Sequence, residues 1–274
     1  MKINKYPDGT SYVSDISVKL YITFRINSYE DLWHLNQYIE AYNSVHETPL
    51  TVTIPNLLDA QADRRFNEGE SSGLKLVCNF LNGINAKFKI FHPHNPEVVE
   101  ALIDNVKIID NQFFITKVIT GIDRTYKNTK LNPKNNLILM SSDAGGFKPL
   151  MKLCDKIGWD GETFSASKAR TKNDMEQRVD REDFGGKDIL IIDDISVYGG
   201  TFKGLAKKLR ERNCGKLYLA VSHMTVQNLG NDPVTNYFDK VFTTNSKFDE
   251  EPYYHGSYGD EDVELTNLEI IKLF

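Results

Sequence analysis

Apolar residues in this 274-residue chain form short runs of strand length, separated by stretches in which they recur every three or four positions. Runs at Leu20–Phe24, Val52–Ile54, Phe88–Phe91, Leu137–Met140, Ile189–Ile192, Leu217–Val221 and Lys240–Thr243 predict strands. Between them, Leu32, Leu35, Ile39 and Tyr42 share one helical face; so do Leu74, Val77 and Leu81, then Leu150, Leu153 and Ile157, then Phe202, Leu205 and Leu209. Ser28 is placed to cap the first of these helices, with Glu30 and Asp31 in its first turn, while Asn95 and Pro96 start another. The helix after Ser28 is core architecture, so Trp33 and His34 receive no role. Strand alternating with helix predicts an α/β fold of mainly parallel sheets flanked by helices. The polar run between Thr120 and Lys134 divides it into two lobes, 1–125 and 126–274.

The chemistry-bearing residues collect where strands end. Ile189–Ile192 reads as a strand covered on both faces. It is followed by Asp193 and Asp194, then by the turn Ser196–Thr201 with Gly199 and Gly200. Carboxylates at the carboxyl end of a parallel strand can accept hydrogen bonds from vicinal hydroxyls, and the free N–H groups of a glycine turn opening a helix attract phosphate. The plainer reading is an exposed acidic loop and a helix capped by Thr201. The same device recurs after Leu137–Met140, where Asp143 precedes Gly145 and Gly146. Two such segments in one lobe predict one composite site. His92 and His94 follow another strand end, where packing or capping is the default and a metal-nucleotide the alternative. Asp63, Arg64 and Arg65 lie in a polar loop after Val52–Ile54, and Pro7, Asp8 and Gly9 make a turn near the start. Phe164–Asp183 is dense in charge and reads as a flap; Lys168 and Arg170 alternate within it and would share one side of a strand. An acidic, tyrosine-rich stretch at 247–264 gives no sign of its purpose.

Composition narrows the classes of partner. Thirty-three basic and 38 acidic residues leave a net charge of −5, and no basic block stands out, so no nucleic-acid footprint is expected. No apolar run approaches the length needed to span a membrane and the first ten residues contain no signal-peptide core. Cys78, Cys154 and Cys214 are widely spaced and odd in number, which argues against a disulfide framework and for reduced thiols in a cytoplasmic protein, the host cytoplasm if the source is a phage.

The stretch ILIIDDISVYGGT, residues 189–201, resembles the phosphoribosyl-diphosphate binding signature of the type I phosphoribosyltransferase fold. Along most of its length the chain is similar to the ribose-phosphate diphosphokinases, or phosphoribosyl-diphosphate synthetases. SSDAGG resembles their Ser-Pro-Asp-x-Gly-Gly segment, SKAR their Lys-x-Arg flap pair, and HPH their Asp-Leu-His or Asp-Pro-His. YPDG resembles their Phe-x-Asp-Gly-Glu loop and VFTTNS their Val-x-Thr-Asn strand end. Simple phosphoribosyltransferases lack the histidine and Asp-x-Gly-Gly segments. The resemblance implies transfer of diphosphate from Mg-ATP to the anomeric hydroxyl of ribose 5-phosphate, with release of AMP. It further implies that His94 and Asp143 contact Mg²⁺ on the ATP phosphates and that Lys168 and Arg170 stabilise the moving phosphorus. Asp193 and Asp194 would hold ribose hydroxyls, Asp193 with a second Mg²⁺, and Gly199, Gly200 and Thr201 would receive the 5-phosphate. Tyr6 and Asp8 would meet adenine across a contact between protomers, hence an expected homo-oligomer.

The departures from that pattern carry information of their own. Where the family has Arg-Gln-Asp, this chain has Gln61, Ala62 and Asp63, so Arg64 or Arg65 would take over the grip on ATP. The family's strand and helix before the Phe-x-Asp-Gly-Glu loop have no counterpart, so the first lobe is expected to be trimmed and the usual allosteric phosphate site is in doubt. In the acceptor turn, Val197 and Tyr198 stand where the family has Asp and Thr, which removes a carboxylate and a hydroxyl. An aromatic there suits an acceptor whose 5-phosphate is already esterified, as in phage-encoded relatives that pyrophosphorylate ADP-ribose to rebuild NAD. ADP-ribose is therefore the favoured acceptor, with ribose 5-phosphate the alternative. Two other classes stay open: a phosphoribosyltransferase that consumes the activated sugar, and a non-catalytic subunit of a synthetase assembly.

Overall fold

A computed structural model describes residues 1–126, 133–170, 175–225, 232–247 and 267–274, and excludes the side chains of 126, 133–134, 168–170 and 175–177. The chain forms two units, Met1–Asp110 with Phe274, and Asn111–Leu273. The expected boundary at 125/126 instead coincides with the end of a helix, Gln112–Tyr126, whose Phe114, Ile115, Val118 and Ile122 are buried with Leu137 and Leu139 of the second unit. Apolar packing on the second unit's sheet places this helix there, although a polar run follows it. The tyrosine-rich stretch 248–264 lies outside the described residues.

The first unit opens with an antiparallel hairpin, β1 (Lys2–Lys5) and β2 (Ser11–Ser14). Its sheet is formed by β3 (Tyr21–Thr23), β4 (Leu50–Ile54), β5 (Ala86–Phe91) and β6 (Val106–Ile109), all parallel and in that spatial order. Helices α1 (Tyr29–Asn43), α2 (Gly73–Asn82) and α3 (Pro96–Leu102) connect the strands. In β4 burial alternates: Leu50, Val52 and Ile54 are buried while Thr51 and Thr53 are not. This is the pattern of a sheet packed on one face. Leu35, Ile39 and Tyr42 of α1 and Leu74, Val77 and Leu81 of α2 fill that face. Ser28 caps α1 through a reciprocal box with Asp31 and Asn95 caps α3 ahead of Pro96, as their positions predict.

The second unit contains α4 (Gln112–Tyr126), α5 (Pro133–Asn136), β7 (Leu137–Ser141), α6 (Phe147–Ile157) and β8 (Thr163–Ser165). A hairpin of β9 (Ser167–Arg170) and β10 (Met175–Arg178) follows, then β11 (Asp188–Ser196), α7 (Gly200–Glu211), β12 (Leu217–Met224), β13 (Lys240–Thr244) and β14 (Leu268–Ile271). Six strands form a parallel sheet in the order β14-β13-β12-β11-β7-β8. Every residue of β7 and β12 is buried, because both faces are covered. Ile189 and Ile191 of β11 pack with Phe202, Leu205 and Leu209 of α7, whereas Leu190 and Ile192 pack with residues of α4 and α6. From β7 the chain crosses to β8 on one side and then returns to β11 on the other. Such a reversal opens a crevice at the carboxyl ends of the two central strands, here β7 and β11.

The start of β11 is tightly framed. Gly215, between α7 and β12, donates its N–H to the Lys187 carbonyl at 2.7 Å. A Cβ built there would lie 2.5 Å from Asp188 Oδ1 and closer still to the Gly186 carbonyl. Gly215→Ala should therefore destabilise the protein by about 2–3 kcal/mol through forced backbone displacement, measured as a lower urea midpoint; an unchanged midpoint would contradict this packing.

Candidate active site at the β7–β11 strand ends

β11 runs further than its apolar core, through both acids to Ser196, so Asp193 and Asp194 occupy the strand rather than the loop after it. Main-chain pairing with β12 carries it on, Asp193 lying opposite Val221 and Ile195 opposite His223. Although they are consecutive strand residues, the two acids stay close enough for their carboxyls to interact through a hydrogen bond as well as through like charge. On the β7 side the pairing ends with Ile192 opposite Ser141, and Asp193 is joined to Ser142 just beyond it. The Ser142 hydroxyl donates to Asp193 Oδ2, and the Asp194 N–H donates to Asp193 Oδ1 at 2.8 Å. Burial, then the negative charge of Asp194 and a hydrogen bond shared with its carboxyl, push the Asp193 carboxyl up to about 7, against the downward pull of the Ser142 and Asp194 N–H bonds.

Asp143 is held by a turn. Its Oδ1 accepts the Gly146 N–H at 3.1 Å, while its carbonyl accepts the hydroxyls of Ser141 at 2.9 Å and Ser165 at 3.2 Å. A Cβ on Gly145 would come 3.3 Å from that carboxylate and one on Gly146 3.3 Å from Ser141 Cβ, so side chains there would crowd the turn. At the other turn Gly199 adopts a left-handed conformation, φ 72°, and is the N-cap of α7, which puts Gly200 and Thr201 in the first helical turn. Thr201 is therefore not the cap. The preceding carbonyls are pinned from β12's end: Thr225 N–H donates to Ser196 O at 3.1 Å and Thr225 Oγ1 to Val197 O at 2.6 Å. Tyr198 is 70% exposed. Ser141, Ser142, Ser165 and Thr225 shape this rim, and small polar residues at strand ends were the only sequence signal for them.

The flap springs from the same edge. The Ala166 N–H donates to the Ser141 carbonyl at 3.2 Å, and β9 pairs with β10 so that Lys168 lies opposite Gln177 and Arg170 opposite Met175. The side chains of Lys168 and Arg170 lie outside the described ones. The chain's return from the flap is fastened to the residue before β8: Glu162 accepts from Lys187 Nζ at 2.8 Å and from Arg181, whose guanidinium lies over Phe184.

In the first unit two further groups gather. Asp63 accepts from Asn95 Nδ2 at 3.2 Å, and Arg64, with a 76% exposed side chain, comes within 3.9 Å of the same carboxylate. His94 is exposed immediately before the Asn95 cap. At the hairpin tip, Tyr6 lies 4.8 Å from Tyr12 between ring centroids, and Asp8 accepts the Thr10 hydroxyl at 2.7 Å and N–H at 2.9 Å. The hydroxyl bond, then the N–H bond, hold the Asp8 carboxyl below the usual range. The expected residues thus fall into three places: the ends of β7 and β11 in the second unit, which carry Asp143, Asp193, Asp194 and the glycine turns, and two groups in the first.

The phosphoribosyl transferase domain matches residues 106–255. The chain belongs to that family. Among curated relatives of this phosphoribosyltransferase-fold chain, the ribose-phosphate pyrophosphokinase of Sulfolobus acidocaldarius is 24% identical over 216 residues, covering 76% of this chain and 69% of its own length. The namesake from Pyrococcus abyssi is 23% identical over 251 residues, covering 90% and 84%. The phosphoribosylpyrophosphate synthetase crystal structure from Mycobacterium smegmatis shares the fold, with a TM-score of 0.71 at 19% identity over 99% of this chain and 85% of that one. No described helix is long and apolar enough to cross a membrane.

The donor set at the strand ends fits a magnesium ion, since Asp143, Asp193 and Asp194 offer hard oxygen ligands and the last two repel each other. Among the described residues no group of three or more His, Cys, Asp or Glu is close enough to hold a metal ion. Mg²⁺ commonly needs only one or two carboxylates, with water and substrate phosphates as further ligands.

Burial alone would raise the Glu162 carboxyl, but hydrogen bonds from Lys187 and Arg181 and their charges outweigh it and lower the net value. Its stabilisation is present above the ordinary glutamate range and is lost as pH falls through the depressed value. Glu162→Gln should cost about 1 kcal/mol at pH 7 in urea unfolding, with the gap from wild type closing below about pH 4. A gap independent of pH would remove the charge from the fastening.

Proposed function

We propose that this chain, an ATP-dependent diphosphotransferase of the ribose-phosphate pyrophosphokinase kind, transfers the β,γ-diphosphate of ATP to the anomeric hydroxyl of ADP-ribose. The bond from the anomeric oxygen to the β-phosphorus forms, the bond from that phosphorus to the α,β-bridging oxygen breaks, and the hydroxyl proton passes to solvent. The products are AMP and ADP-ribose pyrophosphate. Asp193 and Asp194 accept hydrogen bonds from the ribose hydroxyls. The N–H groups of Gly199, Gly200 and Thr201 receive the 5′-phosphate at the N-terminus of α7. Lys168 and Arg170 offset negative charge on the oxygens around the transferring phosphorus. Asp143 would hold Mg²⁺ on the ATP phosphates, where it would supply charge neutralisation, and Asp193 would hold a second ion. Asp63, Arg64 and His94 face ATP, and Tyr6 and Asp8 meet its adenine in a homo-oligomer.

The exposed Tyr198 carries the choice of acceptor. It replaces a hydroxyl-bearing residue of the family's turn with an aromatic surface that is 70% accessible, able to lie against the second half of ADP-ribose. Ribose 5-phosphate, the acceptor implied by the relatives' name, is the second reading.

Release of AMP from ATP, followed with each sugar in turn, separates them: ADP-ribose should support turnover at lower concentration, and turnover with ribose 5-phosphate alone would end the first reading. Lys168→Ala should leave nucleotide binding in place while cutting kcat by roughly a thousandfold. An unchanged rate would take Lys168 out of the mechanism.

A further inference from the structure

The buried side of α1 is not uniformly apolar. Leu32, Leu35, Ile39 and Tyr42 pack into the sheet core, but His34, Gln37 and Tyr38, three and four positions apart and so neighbours on the helix surface, turn polar atoms elsewhere. His34 Nε2 and Ser11 Oγ share a hydrogen bond of 2.8 Å. Gln37 Nε2 donates to the Ser11 carbonyl at 2.8 Å, and the Tyr38 hydroxyl accepts the Ser17 N–H at 2.9 Å. His34 is only 4% exposed and Tyr38 3%, so the helix side of these part-buried bonds is shielded from water.

The β1–β2 hairpin depends on such ties. A two-stranded hairpin is marginal by itself, and this one pairs with no strand of the four-stranded sheet. Val13 packs against the core, whereas Ile3, Tyr6 and Tyr12 remain exposed. Apolar contact at one position permits sliding and tilting; two directional bonds to Ser11 do not, and the Tyr38 bond to Ser17 holds the segment just after the hairpin to the same helix face.

We infer that His34, Gln37 and Tyr38 form a polar clamp that fixes the hairpin on α1 and thereby sets Tyr6 and Asp8 at its tip where they receive ATP. They are positioning residues. The inference rests on the proposed nucleotide role of the hairpin, and it assigns a function to the polar positions of a helix otherwise explained by its apolar face.

The clamp lies in the first unit, apart from the acids and glycine turns at the β7–β11 strand ends, so its loss should fall on ATP affinity alone. The full chain is compared with His34→Ala, Ser11→Ala, the double variant and His34→Gln, whose amide can replace the ring nitrogen. Amide hydrogen exchange over residues 2–14 is read by mass spectrometry beside kcat and the KM for ATP and for the acceptor. Exchange should quicken, and KM for ATP should rise roughly fivefold, the equivalent of one net hydrogen bond of about 1 kcal/mol. The acceptor KM and kcat should hold, His34→Gln should recover most of the loss, and the double variant should be no worse than either single one. Unchanged exchange overturns the clamp, whatever the kinetics. Quickened exchange with an unchanged KM for ATP overturns the positioning role together with the nucleotide role of the hairpin, but not the clamp's hold on it. Gln37→Leu, which removes only the donor to the Ser11 carbonyl, serves the same comparison if His34→Ala does not fold.

Discussion

Two carboxylates on consecutive residues of a strand covered on both faces are an unfavourable arrangement, and the second unit is built to tolerate it. Lost hydration, and then the negative charge of Asp194, push the Asp193 carboxyl up, and the Ser142 hydroxyl and Asp194 amide offset only part of that cost. The pair is tolerable because it sits in the last four residues of β11, at the crevice opened by the reversal of strand order.

The surrounding parts follow from the same need. Main-chain N–H groups at the two glycine turns offer positive potential beside the acids, and the flap starts two residues after β8, which is paired to β7. Glu162, binding Lys187 and Arg181, fastens the segment between flap and β11 to the residue before β8.

Much of this was legible in the sequence because parallel strands buried on both faces leave unbroken apolar runs, as in Leu137–Met140 and Ile189–Ile192. The glycine turns were legible because they bracket those runs. Several elements were not. β6, β8 and β14 are three or four residues long, too short for periodicity to register, and α4 is followed by a polar run that masked its packing on the second sheet. Ser142 and Thr225 could not be singled out, since their importance lies in cross-strand bonds that no local pattern reveals. His34, given no role from its helical position, is bonded to Ser11, 23 residues away. The unit boundary at 110/111 likewise depends on where α4 finds its apolar partners.

The turn between β11 and α7 is held by its main chain: Thr225 bonds the carbonyls of Ser196 and Val197, and Gly199 supplies the left-handed residue. None of those restraints uses the side chain of position 198. That residue can be exchanged without dismantling the turn, so its identity is open to change by selection or by a protein engineer at little cost to the fold.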